Sequence, residues 1–208
     1  MNSQIQPRGE ARGHRRFGGF SHMVNLVTIR GDTYMVDVGF GAGGPTHPLP
    51  LKESGAILNL PPNQNVRLRR DVIPEMDSAS NKLWMLERKI ADEGPWVALY
   101  CFEDNVCFLP QDFEVMNFFT STHRMSFFTF RVVASKYVLD ELGDMVVGYL
   151  VLYEDSLQRR VRGEREILQT FQTEQERIDA LKDFMGIKLS ASQRAGIKGM
   201  VTEIVHED

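Results

Sequence analysis

The alternation of apolar and polar side chains predicts a β-hairpin near the start of the chain. Residues 22–29 and 33–38 are rich in β-branched and apolar side chains, and Gly31 and Asp32 lie between them as a two-residue turn. The next segment, residues 39–50, holds four glycines and three prolines. Because proline lacks the N–H that a central strand must donate, this segment is predicted to be an ordered loop.

Further strands are predicted on both sides of a change in pattern near the middle of the chain. Residues 82–90 and 96–102 would complete an antiparallel barrel or sandwich. Residues 1–17 are polar and show no periodicity that would build an element, so we expect an extended lead-in. In the second half, residues 128–134 and 145–153 are predicted to be strands.

Two helices are predicted in the second half of the chain. The first covers residues 112–119, with Asp112 as its N-cap. The second begins with the capping-box pattern Thr173-Glu-Gln-Glu176 and ends at Gly186. Its apolar stripe consists of Ile178, Leu181, Phe184 and Met185. The C-terminal half is therefore predicted to be a mixed α/β unit.

Composition limits the class of protein. The chain has 208 residues, 42% of them hydrophobic and 10% aromatic, which can fill a sizeable core in one large or two small domains. No apolar run reaches the roughly 20 residues of a membrane helix, and the N-terminus lacks the apolar core of a signal peptide. Cys101 and Cys107 make no disulfide framework and fit a reducing compartment. We therefore expect a cytoplasmic protein.

The charge distribution argues against a nucleic-acid partner. The net charge is −4, and the basic clusters Arg67-Leu-Arg-Arg70 and Arg159-Arg-Val-Arg162 are short and lack interleaved aromatic residues. We interpret these clusters as solvated strand faces or as phosphate contacts.

One carboxylate in the predicted hairpin requires a partner. Asp37 lies in the apolar run Tyr34-Met-Val-Asp-Val-Gly-Phe-Gly41, and an unpaired buried carboxylate costs several kcal/mol. His22, in Ser21-His-Met-Val-Asn-Leu-Val27, is a candidate partner, although a lone histidine in an apolar strand is more often a core residue than a catalyst. A carboxylate that orients a histidine is two thirds of a nucleophilic triad.

Regular strand geometry does not bring this pair together. With the predicted turn, Asp37 lies opposite Leu26, on the same face as His22 but about 13 Å further along at roughly 3.4 Å per residue. A bend or bulge is therefore required. The pair Gly18 and Gly19, or the glycine-rich loop after the hairpin, could supply it.

Two separated segments resemble the arylamine N-acetyltransferases, especially the fungal ones. The first combines Ser21-His-Met-Val-Asn-Leu-Val27 and Tyr34-Met-Val-Asp-Val-Gly-Phe-Gly41 with Gly44-Pro-Thr-His-Pro-Leu-Pro-Leu51. The second is Asp112-Phe-Glu-Val-Met-Asn-Phe-Phe-Thr-Ser-Thr-His123 with Ser126-Phe-Phe-Thr129. The resemblance extends from about Arg12 onward, and the order of the two segments makes it specific.

The resemblance implies an α+β fold. Residues 1–110 would form an antiparallel β-barrel domain with its lead-in segment, and residues 111–208 a smaller α/β lid domain. The implied activity is transfer of an acetyl or other acyl group from an acyl-CoA to an aromatic amine or hydrazine through an acyl-cysteine. Coenzyme A would enter as co-substrate, and no permanently bound cofactor, metal, nucleic acid or membrane is implied.

The resemblance also assigns site residues. His22 and Asp37 match the family's catalytic histidine and aspartate, Phe40 matches an aromatic residue that lines the amine pocket, and Ser21 is placed at the same substrate site. The residues expected to contact coenzyme A are Phe119, Thr120, Ser121 and Ser126. Their hydroxyls could bond the pantetheine or the phosphates, or could instead cap the preceding helix.

The family's nucleophilic cysteine has no counterpart in the expected place. In the family it follows an Arg-Gly-Gly-x motif well before the histidine, within an N-terminal helical domain, whereas only 21 residues precede His22 here and none is cysteine. Cys101 ends an apolar strand and Cys107 lies in a turn-like stretch, so neither is expected to replace it. The chain as written is therefore expected to be inactive.

Three hypotheses remain open. The chain is a truncated acetyltransferase, a short protein that keeps acyl-CoA or arylamine binding without catalysis, or a non-catalytic interaction domain. In the last case His22 and Asp37 would keep only a structural hydrogen bond.

Overall fold

The structure of the chain, a computed structural model, describes residues 2–8, 16–73, 76 and 82–205. The chain divides into two compact units, Met1–Phe119 and Thr120–Asp208. The first is built on antiparallel strands, and the second combines strands with helices. The mixed α+β class is therefore confirmed. The boundary expected after residue 110 lies at the start of a helix, whereas the two units divide within that helix.

Eight strands form one sheet in the first unit. In chain order they are β1 (Asn2–Arg8), β2 (Arg16–Ile29), β3 (Asp32–Val36), β4 (Leu49–Pro50), β5 (Ile57–Leu60), β6 (Gln64–Asp71), β7 (Leu83–Lys89) and β8 (Val97–Phe102). They are hydrogen-bonded in the order β4-β3-β2-β1-β8-β7-β6-β5. Strand β1 pairs antiparallel with both β2 and β8, so the prediction that residues 1–17 build no element is wrong.

This sheet curls around one apolar core. The core takes residues from β3 and β4 near one end of the sheet and from β6 near the other; its members are Val24, Met35, Leu49, Val66, Leu68, Trp84, Leu86, Leu99, Tyr100 and Phe102. Side chains also link the two ends, since Thr46 Oγ1 donates to the backbone oxygen of Asn59 on β5 at 2.9 Å. Within the described residues no ladder joins β4 to β5, so a closed barrel is not confirmed.

The predicted hairpin is present with a different turn. Ile29 pairs with Asp32, so the turn residues are Arg30 and Gly31, with φ of 54° and 93°. Positive φ at both central positions is the type I′ geometry, which matches the twist of the flanking strands. The predicted Gly31-Asp32 turn is off by one residue, because the left-handed conformation is uncommon for a non-glycine residue such as Arg30.

The strands predicted at 82–90 and 96–102 are confirmed as β7 and β8, whereas β5 and β6 were not predicted. The cluster Arg67-Leu-Arg-Arg70 lies on β6. Arg67 Nε and Arg69 Nη2 lie 2.7 and 3.2 Å from the carboxylate of Glu87 on β7. This ion pairing supports the strand-face interpretation of the cluster.

The second unit contains a four-stranded antiparallel sheet and short helices. Helix α1 (Pro110–Thr122) crosses the boundary and is followed by a 3₁₀ turn (Phe127–Thr129). The four strands are β9 (Val133–Leu139), β10 (Val146–Tyr153), β11 (Ser156–Val161) and β12 (Glu164–Thr170). The chain then forms α2 (Glu174–Ala180) with a π turn (Leu181–Met185), and α3 (Ala191–Ala195). The sheet order is β12-β11-β10-β9. Leu152, Leu157, Phe171, Ala180 and Met185 form its core.

The helix predictions are largely confirmed. The capping box holds, because Thr173 Oγ1 accepts from the N–H of Glu176 and Glu176 accepts from the N–H of Thr173, both at 3.3 Å. Gly186 ends the π turn with φ 77°. Asp112 is not the N-cap of α1: the helix begins at Pro110, and the Asp112 carboxylate accepts from the N–H of Leu109 at 2.8 Å.

Two strand predictions in this unit differ in outcome. The strand predicted at 145–153 is confirmed as β10. The strand predicted at 128–134 is wrong, since residues 127–129 form the 3₁₀ turn and β9 begins only at Val133. The phenylalanine-rich run that favoured a strand places Phe128 on the surface, 66% exposed.

Candidate active site

His22 and Asp37 form a hydrogen-bonded pair on the core face of the first unit. Nε2 of His22 lies 3.0 Å from both Oδ1 and Oδ2 of Asp37. The Asp37 side chain has no exposed surface, and that of His22 is 14% exposed. The contact that regular strand geometry did not deliver is therefore made.

The hairpin register explains how the two side chains meet. In the observed ladder Leu26 pairs with Met35 and Asn25 with Val36. Continuing this register places Asp37 opposite Val24, which is two positions from His22 instead of the four that the predicted turn required. Such diagonal cross-strand neighbours lie about 7–8 Å apart, within reach of long side chains.

A β-bulge at Ser21 places Phe20 and His22 on opposite faces of the sheet. Gln4 pairs with His22 and the next residue of β1, Ile5, pairs with Phe20, so Ser21 is the extra residue. Phe20 packs with Cys101 on one face of the sheet, whereas Val24, next but one to His22, packs in the core on the other face. A second irregularity falls at Gly18 and Gly19, one of the two places that could supply a bend or bulge.

Four groups hold the Asp37 carboxylate. Besides His22, the N–H groups of Gly39 and Phe40 donate to Oδ1 at 3.0 and 3.1 Å, and the Tyr100 hydroxyl donates to Oδ2 at 2.7 Å. Burial raises the pKa of Asp37, but the hydrogen bond and charge of His22, with the bonds from Tyr100 and Gly39, outweigh it and hold the pKa below its ordinary value. Asp37 is thus held as a carboxylate.

Tyr100 was not identified from the sequence. It lies in the middle of the apolar strand β8 and is fully buried. A tyrosine hydroxyl in a buried strand needs a hydrogen-bond partner, and this requirement is the signal that could have found it. The strand that brings it to Asp37 is distant in sequence, so the identity of the partner could not be read from local pattern.

Aromatic rings enclose His22. The ring centroids of Phe40 and Tyr100 lie 6.0 and 5.8 Å from that of His22, and 5.3 Å from each other. Phe40 fits closely against the loop, because a Cβ on Gly44 would lie 2.9 Å from its ring. Phe40 therefore lies beside the dyad, where an aromatic residue was expected.

Polar side chains from other strands fix the loop that carries Phe40. Nδ2 of the buried Asn59 donates to the Gly44 carbonyl at 2.9 Å, and its Oδ1 accepts from the N–H of Thr46 at 2.9 Å. Nη1 of Arg88 on β7 donates to the Gly43 carbonyl at 3.2 Å. Residues 39–48 thus form an ordered loop, as predicted, whereas the last two residues assigned to it, Leu49 and Pro50, form the edge strand β4.

The geometry leaves one ring nitrogen of His22 for chemistry. Nε2 is engaged by Asp37, while Nδ1 makes no hydrogen bond to the part of the chain that the structure describes. An imidazole held in this way can take a proton from a thiol, an amine or water. The pair therefore has the geometry that a base and its orienting acid adopt in a nucleophilic triad.

Known proteins share the sequence pattern and the fold of this chain. The sequence model of a family described as N-acetyltransferase matches residues 10–194. The chain belongs to the arylamine N-acetyltransferase family. It is 34% identical over 189 residues to the N-malonyltransferase FDB2 of Fusarium pseudograminearum, an alignment that covers 87% of this chain and 54% of that protein. The N-malonyltransferase FDB2 of Gibberella moniliformis is 32% identical over 203 residues, covering 93% and 58% respectively.

Solved structures of the arylamine N-acetyltransferase family share the fold. The enzyme from Mycobacterium abscessus matches with a TM-score of 0.72 and 22% identity, over 94% of this chain and 63% of its own. The enzyme from Mycobacterium marinum matches with a TM-score of 0.70 and 26% identity, over 89% and 61%. This chain thus spans a little over half the length of the curated relatives and under two thirds of these two structures.

Cys101 does not face His22. Cys101 is fully buried on the sheet face that carries Phe20, while its neighbour Tyr100 lies on the face of the dyad. Cys107 is exposed and follows β8. The expectation that Cys101 is a buried residue is confirmed.

The residues expected to contact coenzyme A lie at the end of α1 and in the turn after it. Phe119, Thr120 and Ser121 belong to the last turns of the helix. Ser126 is buried, and its hydroxyl donates to the carbonyl of Thr120. For Ser126 the structure therefore shows the helix-capping alternative.

The described residues hold neither a membrane-spanning helix nor a cluster of metal ligands. No helix there is long and apolar enough to cross a membrane. No group of three or more His, Cys, Asp or Glu side chains in the same residues could hold a metal ion.

Proposed function

We propose that this chain carries the histidine and aspartate of an N-acyltransferase that moves an acyl group from an acyl-CoA to an amine nitrogen. The observation that carries the proposal is the buried Asp37 carboxylate, which holds Nε2 of His22 and leaves Nδ1 available. The four donors keep Asp37 ionised, so its charge can balance the charge that His22 gains when Nδ1 takes a proton. The pair thus joins an ionised carboxylate to a histidine with one ring nitrogen available.

The proposed reaction has two stages and uses a cysteine from the part of the family protein that this chain does not span. The thiol gives its proton to Nδ1 of His22, and the thiolate attacks the acyl thioester, so coenzyme A leaves and takes up a proton. The amine then attacks the acyl-cysteine, its N–H proton is lost, and the cysteine thiol is restored. Asp37 stabilises the imidazolium that forms in each stage.

The acyl group we propose is malonyl in preference to acetyl, because both curated relatives are named N-malonyltransferases. The proposed donor is the coenzyme A thioester, in line with a Mycobacterium marinum relative that was solved in complex with CoA. The half-buried ring of Phe40 beside the dyad favours an aromatic amine as acceptor. Phe119, Thr120 and Ser121 remain the proposed coenzyme A contacts, and Ser21 a proposed substrate contact, in a reducing, cytoplasmic setting.

A chimera tests this proposal. The N-terminal segment of a family member that carries the Arg-Gly-Gly-x-Cys motif is joined before this chain. The chimera, its His22→Gln variant and a variant with serine for the supplied cysteine are mixed with malonyl-CoA or acetyl-CoA. Intact-mass analysis then follows the acyl-enzyme in a single turnover, and an aromatic amine is added as acceptor.

We expect a malonyl adduct on the supplied cysteine of the chimera and none in the two variants. The adduct should form faster from malonyl-CoA than from acetyl-CoA. A folded chimera that binds coenzyme A but forms no adduct would favour the binding-without-catalysis hypothesis. Turnover by this chain alone that is lost in Cys107→Ala would contradict the proposed source of the nucleophile.

A further inference from the structure

The bare α-carbon of Gly39 faces the edge of the His22 ring that carries Nδ1 and Cε1. A Cβ placed on Gly39 would lie 3.2 Å from Cε1 and 4.0 Å from Nδ1. The same Cβ would lie 4.0 Å from Oδ1 of Asp37. Because carbon atoms pack favourably at about 3.5–4.0 Å, a side chain here would press against this ring edge.

The rest of the His22 ring is already engaged. Nε2 is bonded to Asp37, and the rings of Phe40 and Tyr100 lie against it at centroid distances of 6.0 and 5.8 Å. The side chain keeps 14% of its surface exposed. The edge next to Gly39 is therefore the side from which a reacting group can approach Nδ1.

Backbone conformation does not explain a glycine at this position. Gly41 and Gly43 in the same loop have φ of 80° and 87°, which favours glycine. Gly39 is not among the positive-φ residues of the described chain, so alanine can adopt its backbone. The requirement at Gly39 is one of space.

We propose that Gly39 is a positioning residue that keeps the Nδ1–Cε1 edge of His22 open to the group that gives up its proton there. This inference rests on the proposed function, in which His22 accepts that proton. In the step, the bond between hydrogen and the sulfur or nitrogen of that group breaks and a bond to Nδ1 forms. Nε2 keeps its hydrogen toward Asp37, whose charge balances the imidazolium.

The backbone of Gly39 also makes a hydrogen bond to Asp37. Its N–H donates to Oδ1 of Asp37 at 3.0 Å. Alanine would keep this bond, since it has the same N–H, and would add only a methyl group at the ring edge. Gly39→Ala therefore separates the steric role of this residue from its hydrogen bond.

Chemical acylation of the ring measures access to Nδ1 directly. Diethyl pyrocarbonate acylates unprotonated imidazole nitrogens, and Nε2 of His22 is engaged by Asp37. The rate at each histidine is followed by peptide mass mapping, with the exposed His47 and His123 as internal references. Gly55→Ala is the matched control, because nothing lies within 4 Å of its added Cβ and it is not a positive-φ glycine.

We expect Gly39→Ala to slow acylation of His22 about tenfold, as a modest rise in barrier would. The rates at His47 and His123 should not change, and Gly55→Ala should match the parent at all three histidines. An unchanged His22 rate in folded Gly39→Ala would overturn the inference. The reaction needs neither coenzyme A nor a cysteine, so its result is separate from that of the chimera.

A second measurement needs no variant at position 39. Deuterium exchange at Cε1–H of each histidine is followed by mass spectrometry on the unaltered chain, at the plateau of its pH dependence. If the edge is open, His22 should exchange within about tenfold of His123. Slower exchange than this would show a closed edge and overturn the inference, even if Gly39→Ala did not fold.

Discussion

The hydroxyl of Tyr100 donates a 2.7 Å hydrogen bond to Oδ2 of Asp37 and so ties the acid of the dyad to the centre of the eight-stranded sheet. Tyr100→Phe removes this donor and leaves the ring in place. We expect the pKa of Asp37 to rise and the free energy of unfolding to fall by about 1.5–3 kcal/mol, as for a hydrogen bond to a charged group. Urea unfolding measures the loss.

Tyr34→Phe is the control for Tyr100→Phe. Tyr34 lies on β3 in the same unit, and its hydroxyl makes no hydrogen bond within the described ranges. We expect a change within about 0.5 kcal/mol, typical of a substitution away from such features. Equal losses in the two variants would show that the bond to Asp37 contributes nothing.

Folding stability should depend on Asp37 in acid. The pKa of Asp37 in the folded state lies below its ordinary value of 3.8. The stabilisation from ionised Asp37 is therefore complete above pH 3.8 and is lost as the pH falls through the folded-state pKa. The difference in unfolding free energy between the parent and Asp37→Asn should therefore be largest near neutrality and shrink in acid. Urea titrations from about pH 6 down to about pH 2.5 measure it. A difference that stays constant with pH would contradict the lowered pKa.

Asn59 should contribute to stability through the loop that carries Phe40. Asn59→Ala leaves the Gly44 carbonyl and the Thr46 N–H without their partner. We expect a loss of about 2–4 kcal/mol, since two backbone groups are affected. Asn59→Asp keeps the acceptor for Thr46 but turns a carboxylate oxygen toward the Gly44 carbonyl at a buried position, so it should lose at least as much. Asn105→Ala, at an exposed position, is the control and should match the parent in thermal unfolding.

Substitutions at Ser126 and at Ser121 should have different effects on folding stability and on coenzyme A binding. Ser126→Ala removes the bond to the Thr120 carbonyl at the end of α1, so we expect a loss of about 1 kcal/mol in unfolding free energy with unchanged affinity for coenzyme A. Ser121→Ala, at an exposed position, should weaken coenzyme A binding in calorimetry and leave stability unchanged. If Ser126→Ala instead weakened coenzyme A binding and kept its stability, Ser126 would be a coenzyme A contact.

The sequence identified the elements whose pattern is local. The hairpin, β7, β8 and the α2 capping box follow from alternation, turn glycines and the Thr173–Glu176 spacing. Strand β1 was missed because its segment is polar, and a polar segment joins a sheet only when partners such as β2 and β8 offer their hydrogen bonds. That information lies elsewhere in the chain.

The dyad was identified as a pair of residues but not as a contact. The sequence indicated that Asp37 has a partner, because burying an unpaired carboxylate costs free energy. Its other side-chain partner, Tyr100, comes from β8, and the bulge at Ser21 is an extra residue that alternation does not reveal. Read without that bulge, Phe20, His22 and Val24 would share one face of the sheet, whereas Phe20 packs on the other.

The turn at Arg30 and Gly31 makes the chemistry of the site sensitive to the length of the chain far from the dyad. One residue gained or lost there would shift every pairing of β3 against β2 and turn Asp37 to the opposite face from His22. A relative with such an insertion would still contain a histidine and an aspartate at matching motifs. Counting both residues in an alignment is thus a weaker test of a working dyad than measuring the length of the hairpin that joins them.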